Sequence, residues 1–180
     1  MTITYYDLIT LVLTSSLIAA VMTVFGNWLL QRNNYRDDYY KKLLEKRLDA
    51  YEAVESLVGQ LLQLSQLDDG RIAPIFCTLG KDYFDSFLIS IMATSSKSIW
   101  LDQKTNSKIT ELNAFLLTKI SNQIDESATP AIIDIQLSNL GAQYRDHIKN
   151  IRKELQQMLY SDIQSLHKIQ PFIEKIKMKD

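Results

Sequence analysis

Residues 8–31, LITLVLTSSLIAAVMTVFGNWLLQ, form a run of 24 residues without one charged side chain. At about 1.5 Å of rise per residue, a helix of this length measures roughly 36 Å, whereas the hydrocarbon core of a bilayer is about 30 Å thick. Aromatic residues lie at both ends, with Tyr5 and Tyr6 before the run and Phe25 and Trp28 near its exit, as is typical of membrane interfaces. The run therefore predicts a single transmembrane helix.

Charge is distributed unevenly around this run, because every Lys and Arg lies at or after Arg32 and Asp7 is the one charged residue before it. A cleaved signal peptide would need a basic N-terminal flank and a shorter apolar run, and neither is present. The basic residues that follow the run are Arg32, Arg36, Lys41, Lys42, Lys46 and Arg47. Basic flanks stay on the cytoplasmic side, so we expect a single-pass membrane protein with its N-terminus outside and its C-terminal part in the cytoplasm.

One face of the predicted membrane helix carries small and polar residues, which we call the polar stripe: Ser16, Ala20, Thr23, Asn27 and Gln31. Their spacings of three and four residues place them on one side of a helix. In lipid, small residues allow two helices to approach closely, and an Asn amide needs a partner, so the stripe predicts self-association or the lining of a pore. The alternative is that the hydroxyls bond to carbonyls of their own helix and that Asn27 lies at the interface.

After the run, apolar residues recur at helical spacing and predict an all-α domain of four main helices, the first continuous with the membrane helix. We expect these helices to end near Asp69 and to cover about residues 74–94, 98–125 and 130–169, with Thr129 as the cap of the last helix and Pro130 in its first position. No segment has the pattern of a β-hairpin. The predicted divisions are residues 1–31 for the flank and membrane helix, 32–170 for the bundle and 171–180 for a tail.

Composition argues against several classes of function. Residues 32–180 carry 20 basic and 20 acidic residues, so no excess of charge favours nucleic acid, and we expect no direct nucleic-acid binding. Cys77 is the single cysteine and lies in an apolar stretch, which indicates a core position in a reducing compartment rather than a disulfide or metal site. The sequence predicts no cofactor.

Catalytic residues are scarce, because His147 and His167 are the two histidines and lie twenty residues apart. No zinc-protease, phosphate-loop, nucleophile-elbow or dinucleotide motif occurs. We interpret both histidines as flank residues that make ordinary hydrogen bonds, and we expect neither a metal site nor enzymatic activity.

A membrane helix that leads directly into residues 39–52, YYKKLLEKRLDAYE, resembles small membrane-anchored helical proteins of bacterial defence loci. In size and layout the whole chain is most similar to the accessory membrane proteins of type VI-B CRISPR systems. This resemblance implies a location in the bacterial inner membrane and a divergent HEPN-like bundle. It also implies a homo-oligomeric pore that depolarises the membrane and strengthens antiphage defence, with an RNA-guided effector as partner.

Active HEPN ribonucleases have an Arg four to six residues before a catalytic His, and this chain departs from that pattern. Arg145 is two residues before His147, and no Arg occupies the required positions before either histidine. No catalytic role is therefore carried over. Three hypotheses remain: an oligomeric membrane effector or pore, a membrane-tethered adaptor or regulatory module without channel activity, and a degenerate HEPN-type ribonuclease.

Overall fold

A computed structural model of the chain describes residues 5–125 and 127–166, with the side chains of residues 19–35, 37–125 and 127–166. Its four α-helices confirm the all-α prediction at the level of fold class. They are α1 (Tyr5–Leu62), α2 (Lys81–Ser95), α3 (Gln103–Phe115) and α4 (Pro130–Ser165). The described chain divides into two compact units, one ending at Leu43 and the other beginning at Leu44.

The first helix is continuous from Tyr5 to Leu62, as expected of a bundle helix that continues the helix of residues 8–31. It ends at Leu62 rather than near Asp69, because a short antiparallel hairpin follows, formed by β1 (Leu64–Gln66) and β2 (Ile72–Pro74). The prediction that no hairpin is present was wrong. Strands of three residues are too short for alternating hydrophobicity to be visible in the sequence.

The hairpin turn contains Asp69, near which we expected the first helix to end. Gly70 has a φ of 82°, a backbone conformation that favours glycine, and its N–H donates to the Leu67 carbonyl at 2.9 Å. Asp69 accepts from the backbone N–H of Arg71 at 3.0 Å and also forms an ion pair with that side chain. An Asp-Gly pair of this kind is a hairpin signal as well as a helix stop.

The second helix begins at Lys81, seven residues later than predicted. Pro74 ends β2, residues 75–77 form one 3₁₀ turn, and Gly80 has a φ of 92° immediately before the helix. Asp134 of α4 accepts a hydrogen bond from the N–H of Lys81 at 3.1 Å and thereby satisfies one free donor at the helix start. That partner lies far away in sequence, which is why local patterns placed the start too early.

The third predicted helix, over residues 98–125, is divided in the structure. A 3₁₀ turn at residues 98–100 precedes α3, with Asp102 as its N-cap, and a π turn at residues 116–120 and a 3₁₀ turn at residues 121–123 follow it. In α4, Thr129 is the N-cap residue and Pro130 lies in the first turn, as predicted. The Thr129 side chain makes no capping hydrogen bond, however, so its expected cap contact is absent.

The core of the unit that begins at Leu44 is formed by the apolar faces of all four helices and by the segment after the hairpin. Phe76 is fully buried, with its ring 4.0 Å from that of Phe87 in a stacked arrangement. Cys77 is buried as predicted, and burial raises the pKa of its thiol well above the usual range. Further buried apolar residues recur at helical spacing along the four helices: Val54, Leu57, Leu61, Phe84, Ile91, Ile109, Leu112, Leu116, Leu137, Ile148, Ile151, Leu155 and Leu159.

Gly141 allows α4 to approach the segment after the hairpin closely. A Cβ at this position would lie 2.5 Å from the Cβ of Cys77 and 3.0 Å from its Sγ. We expect Gly141→Ala to lower the free energy of unfolding by about 1–3 kcal/mol, because these atoms must separate. Gly59 of α1 is the matched control, since nothing lies within 4 Å of its added Cβ.

For Gly59→Ala we expect the opposite sign, a gain of up to about 1 kcal/mol from the higher helix propensity of alanine. Urea unfolding of both variants, followed by circular dichroism, measures the two changes. Equal effects of the two substitutions would contradict the close contact at Gly141.

Candidate functional site

The part of α1 that precedes Leu44 carries large apolar side chains that are exposed. Those with described side chains are Val21, Met22, Val24, Phe25, Trp28, Leu29 and Leu30, and each is at least 41% exposed. At 100° per residue they cover about two-thirds of the helix circumference, with Val21 and Leu30 on opposite sides, and the remaining sector carries the polar stripe. A helix with so broad an apolar surface is normally enclosed by protein or lipid.

The polar stripe lies on the same helix, as the sequence predicted. The side chains of Ala20, Thr23, Asn27 and Gln31 are exposed, and that of Ser16 lies outside the described residues. The Thr23 hydroxyl donates to the carbonyl of Ala19 at 2.8 Å, which is the local bond considered as the alternative interpretation. The hydroxyl of Thr23 is therefore satisfied within its own helix, whereas Asn27 and Gln31 present amides on the surface of this unit.

An aromatic and cationic cluster marks the end of the uncharged run. The Phe25 and Trp28 rings stack with centroids 5.9 Å apart, and the guanidinium carbon of Arg32 lies 5.5 Å from the Trp28 ring centroid. Trp and Arg side chains combine an apolar body with a polar end, and a cation over an indole face is an attractive contact. This arrangement suits a boundary between an apolar and an aqueous environment.

Among the described residues, no helix combines the length and the apolar character that a membrane crossing requires. Side chains are described from residue 19 onward, so residues 8–18 of the predicted span lie outside this finding.

A buried polar cluster in the second unit was missed by the sequence reasoning. The hydroxyls of Tyr51 and Thr105 both donate to Oδ2 of Asp162, at 3.0 and 2.7 Å, and the N–H of Asp102 donates to the Tyr51 oxygen at 3.1 Å. Arg47, which is also buried, donates from Nη1 to the carbonyl of Leu166 at 3.2 Å. The cluster joins α1, α3 and α4 in one network.

The electrostatics of this cluster favour a structural role. Burial raises the pKa of Tyr51 to about 12, and the charge of Asp162 and its hydrogen bond act in the same direction. The N–H of Asp102 and the side chain of Arg47 lower the pKa, but by less. Because Tyr51 and Thr105 are almost fully buried, their hydroxyls hold the helices together rather than face a substrate.

Stability should depend on pH through Tyr51. The pKa of Tyr51 is about 12 in the folded protein, against an ordinary value of 10.0 for the unfolded chain. The neutral Tyr51 hydroxyl therefore contributes fully to stability below pH 10, and this contribution is lost as the pH rises to 12. We expect a fall of about 1.4 kcal/mol in the free energy of unfolding for each unit in this window. Tyr51→Phe cannot ionise and should lack this fall. Urea unfolding of both proteins across the window measures the difference, and parallel curves would contradict it.

His147 is the histidine that lies in the described part of the chain. His147 is exposed and its ring lies 4.2 Å from that of Phe115, in a tilted contact, while His167 lies outside the described residues. No group of three His, Cys, Asp or Glu residues that could hold a metal ion occurs in the part of the chain that the structure describes. The chain matches no protein-family model, no curated protein and no solved structure at a significant level.

Proposed function

We propose that this chain is a membrane-anchored protein that self-associates through the polar stripe and acts as an oligomeric membrane effector or pore. The observation that carries the proposal is the set of exposed apolar side chains around α1, from Val21 to Leu30. Their transfer from water to lipid would be favourable by roughly 25 cal/mol for each Å² removed from water. A bilayer provides this environment around the whole apolar part of the helix, outside the sector of the polar stripe.

The position in the membrane follows from charge and from the aromatic cluster. The uncharged run ends at Gln31, and Arg32 rests on Trp28 directly after it. With the basic residues on this side and none before the run, the bacterial inner membrane would hold the N-terminus outside and residues 32–180 in the cytoplasm.

The polar stripe supports self-association rather than a simple anchor. Thr23 is satisfied by its own helix, but the amides of Asn27 and Gln31 would remain costly in lipid without a partner. A second copy of the same helix offers the small side chain of Ala20 for close approach and matching amides for hydrogen bonds. Several copies around one axis would turn the stripe towards a water-filled channel.

The resemblance noted from the sequence extends this proposal to antiphage defence, with an RNA-guided CRISPR effector as partner and the second unit as a HEPN-like bundle. The ribonuclease hypothesis stays a prediction, since His167 lies outside the described residues.

A membrane-tethered adaptor is the second candidate, and the self-contained core of the unit beginning at Leu44 favours it. This unit buries Tyr51, Phe76 and Leu155 among its own helices. An adaptor would keep its activity when residues 1–31 are replaced by an unrelated membrane anchor, whereas a pore would lose it.

The pore is tested by replacing the polar stripe with apolar residues. We expect Asn27→Leu combined with Thr23→Leu to reduce dye release from vesicles at least about tenfold, because a leucine-lined channel excludes water. Membrane insertion, measured by resistance to alkaline extraction, should be retained.

Met22→Leu is the matched control, since it changes an exposed apolar residue on another face of the same helix. It should leave dye release unchanged. Undiminished release by the Asn27 and Thr23 variant would contradict the role of the stripe in lining a channel.

A further inference from the structure

A cleft of about 160 Å³ lies in the second unit, where the end of α1 and the hairpin face the middle of α4. One part of its lining is apolar and comes from Leu61, Leu62, Leu64, Pro74 and Ile148. The remaining part consists of three cationic side chains of α4: Arg145, Lys149 and Arg152. These three recur at spacings of four and three residues, so one face of α4 presents them together.

Within the described chain, ion pairs do not neutralise the three cations, in contrast to three other basic residues. Arg71, Lys81 and Lys108 each form an ion pair with at least one carboxylate. Within residues 5–125 and 127–166, Arg145, Lys149 and Arg152 form none.

The hydrogen bonds of these cations do not neutralise their positive charges. Arg152 donates to the neutral side chain of Gln156 at 3.3 Å. The Nε of Arg145 is buried without a hydrogen-bond acceptor among the described residues. Buried donors are normally paired, so these three cationic side chains can still accept an anion as a partner.

We propose that this cleft binds a phosphate monoester that carries a short apolar group. A phosphate monoester has a charge of about −1.5 to −2 and three acceptor oxygens, which matches three cations better than a single carboxylate would. Arginine guanidinium groups bind phosphate through paired, charge-assisted hydrogen bonds, and lysine adds a point charge. The apolar wall around Leu61 and Ile148 takes the hydrocarbon part of the ligand.

The C-terminal residues of this chain are a poor match for the cleft by charge. Residues 167–180 contain four lysines, Lys168, Lys175, Lys177 and Lys179, against two acidic residues, Glu174 and Asp180. A basic segment opposite three cations is repelled. The proposed anion therefore comes from outside the chain, either as a lipid phosphate headgroup or as a soluble phosphate ester, which share the same recognition chemistry.

Calorimetric titration of the full-length protein in a neutral detergent tests the site, with hexyl phosphate as the probe. Inorganic phosphate and hexanol should each bind at least about tenfold more weakly than hexyl phosphate, because each lacks one half of the ligand. Equal binding of inorganic phosphate would overturn the apolar part of the proposal, and absence of hexyl phosphate binding would overturn all of it.

Variants of the three cations test the residues themselves. Arg145→Gln combined with Arg152→Gln should weaken hexyl phosphate at least about tenfold, and Lys149→Gln, at an exposed position that tolerates substitution, about threefold. Lys119→Gln makes the same change of charge at an exposed position away from the cleft and should have no effect. Unchanged affinity in Lys149→Gln and in the double variant would overturn the proposal.

Vesicles that contain phosphatidate distinguish the two sources of phosphate. Phosphatidate-dependent binding of the full chain that falls in the double variant supports a lipid headgroup as the ligand. Binding to these vesicles that is insensitive to the variants, together with sensitive hexyl phosphate binding, supports a soluble ester in the same cleft.

Discussion

Asp162→Ala should lower the free energy of unfolding by about 3 kcal/mol or more, because it leaves two buried hydroxyls without their acceptor. Tyr51 and Thr105 both donate to the same oxygen of Asp162, and both are almost fully buried. Each stranded donor costs roughly 1–3 kcal/mol. Urea unfolding followed by circular dichroism measures the loss.

Two further substitutions separate the hydrogen bonds from other effects at this position. Asp162→Asn keeps one acceptor oxygen and should recover a large part of the lost stability. Asp146→Ala removes an exposed carboxylate from the same helix and should change the free energy by less than about 0.5 kcal/mol. The account of the cluster is wrong if Asp162→Ala behaves like Asp146→Ala.

Val21→Arg is expected to oppose membrane insertion by a free energy similar to the one that Asp162→Ala removes from folding. Val21 is 61% exposed and lies within the uncharged run, where an arginine costs about 3 kcal/mol in the middle of a bilayer. This corresponds to a shift of more than about a hundredfold in the insertion equilibrium. The fraction of full-length protein that stays with vesicles after alkaline extraction measures it.

Leu48→Arg is the matched control for Val21→Arg. Leu48 lies on the same helix and is 45% exposed, but it belongs to the unit that begins at Leu44, beyond the uncharged run. Its substitution should leave extraction unchanged. Retention of Val21→Arg at the level of the control would show that this part of α1 does not lie in lipid.

Local patterns in the sequence were enough to predict the number of helices and their approximate positions. Apolar residues at helical spacing and Pro130 located α4, and the first helix was correctly expected to continue beyond residue 31, although it ends at Leu62 and not near Asp69. The hairpin was missed because its strands have three residues each and because Asp69 and Gly70 serve equally as a helix stop. Helix starts and turns that depend on distant partners, such as Lys81 on Asp134, have no local signal.

Sites could likewise be predicted only where their residues lie close together in the sequence. The spacing of Ala20, Thr23 and Asn27 could be recognised on one helix, since all belong to one segment. The cluster around Asp162 could not, because its partners Thr105 and Tyr51 lie 57 and 111 residues away. The cleft beside Arg145 likewise needs a wall from the hairpin, whose presence the sequence did not reveal.

The central claim, that the N-terminal helix assembles copies of this chain in a membrane, is tested most directly by native mass. We would measure the mass of the full-length protein in a mild detergent and compare it with that of a chain beginning at Asn33. The account predicts a discrete large multimer for the full-length protein and loss of that multimer without the helix. A full-length monomer or dimer, or a multimer that persists in the shorter chain, would contradict it.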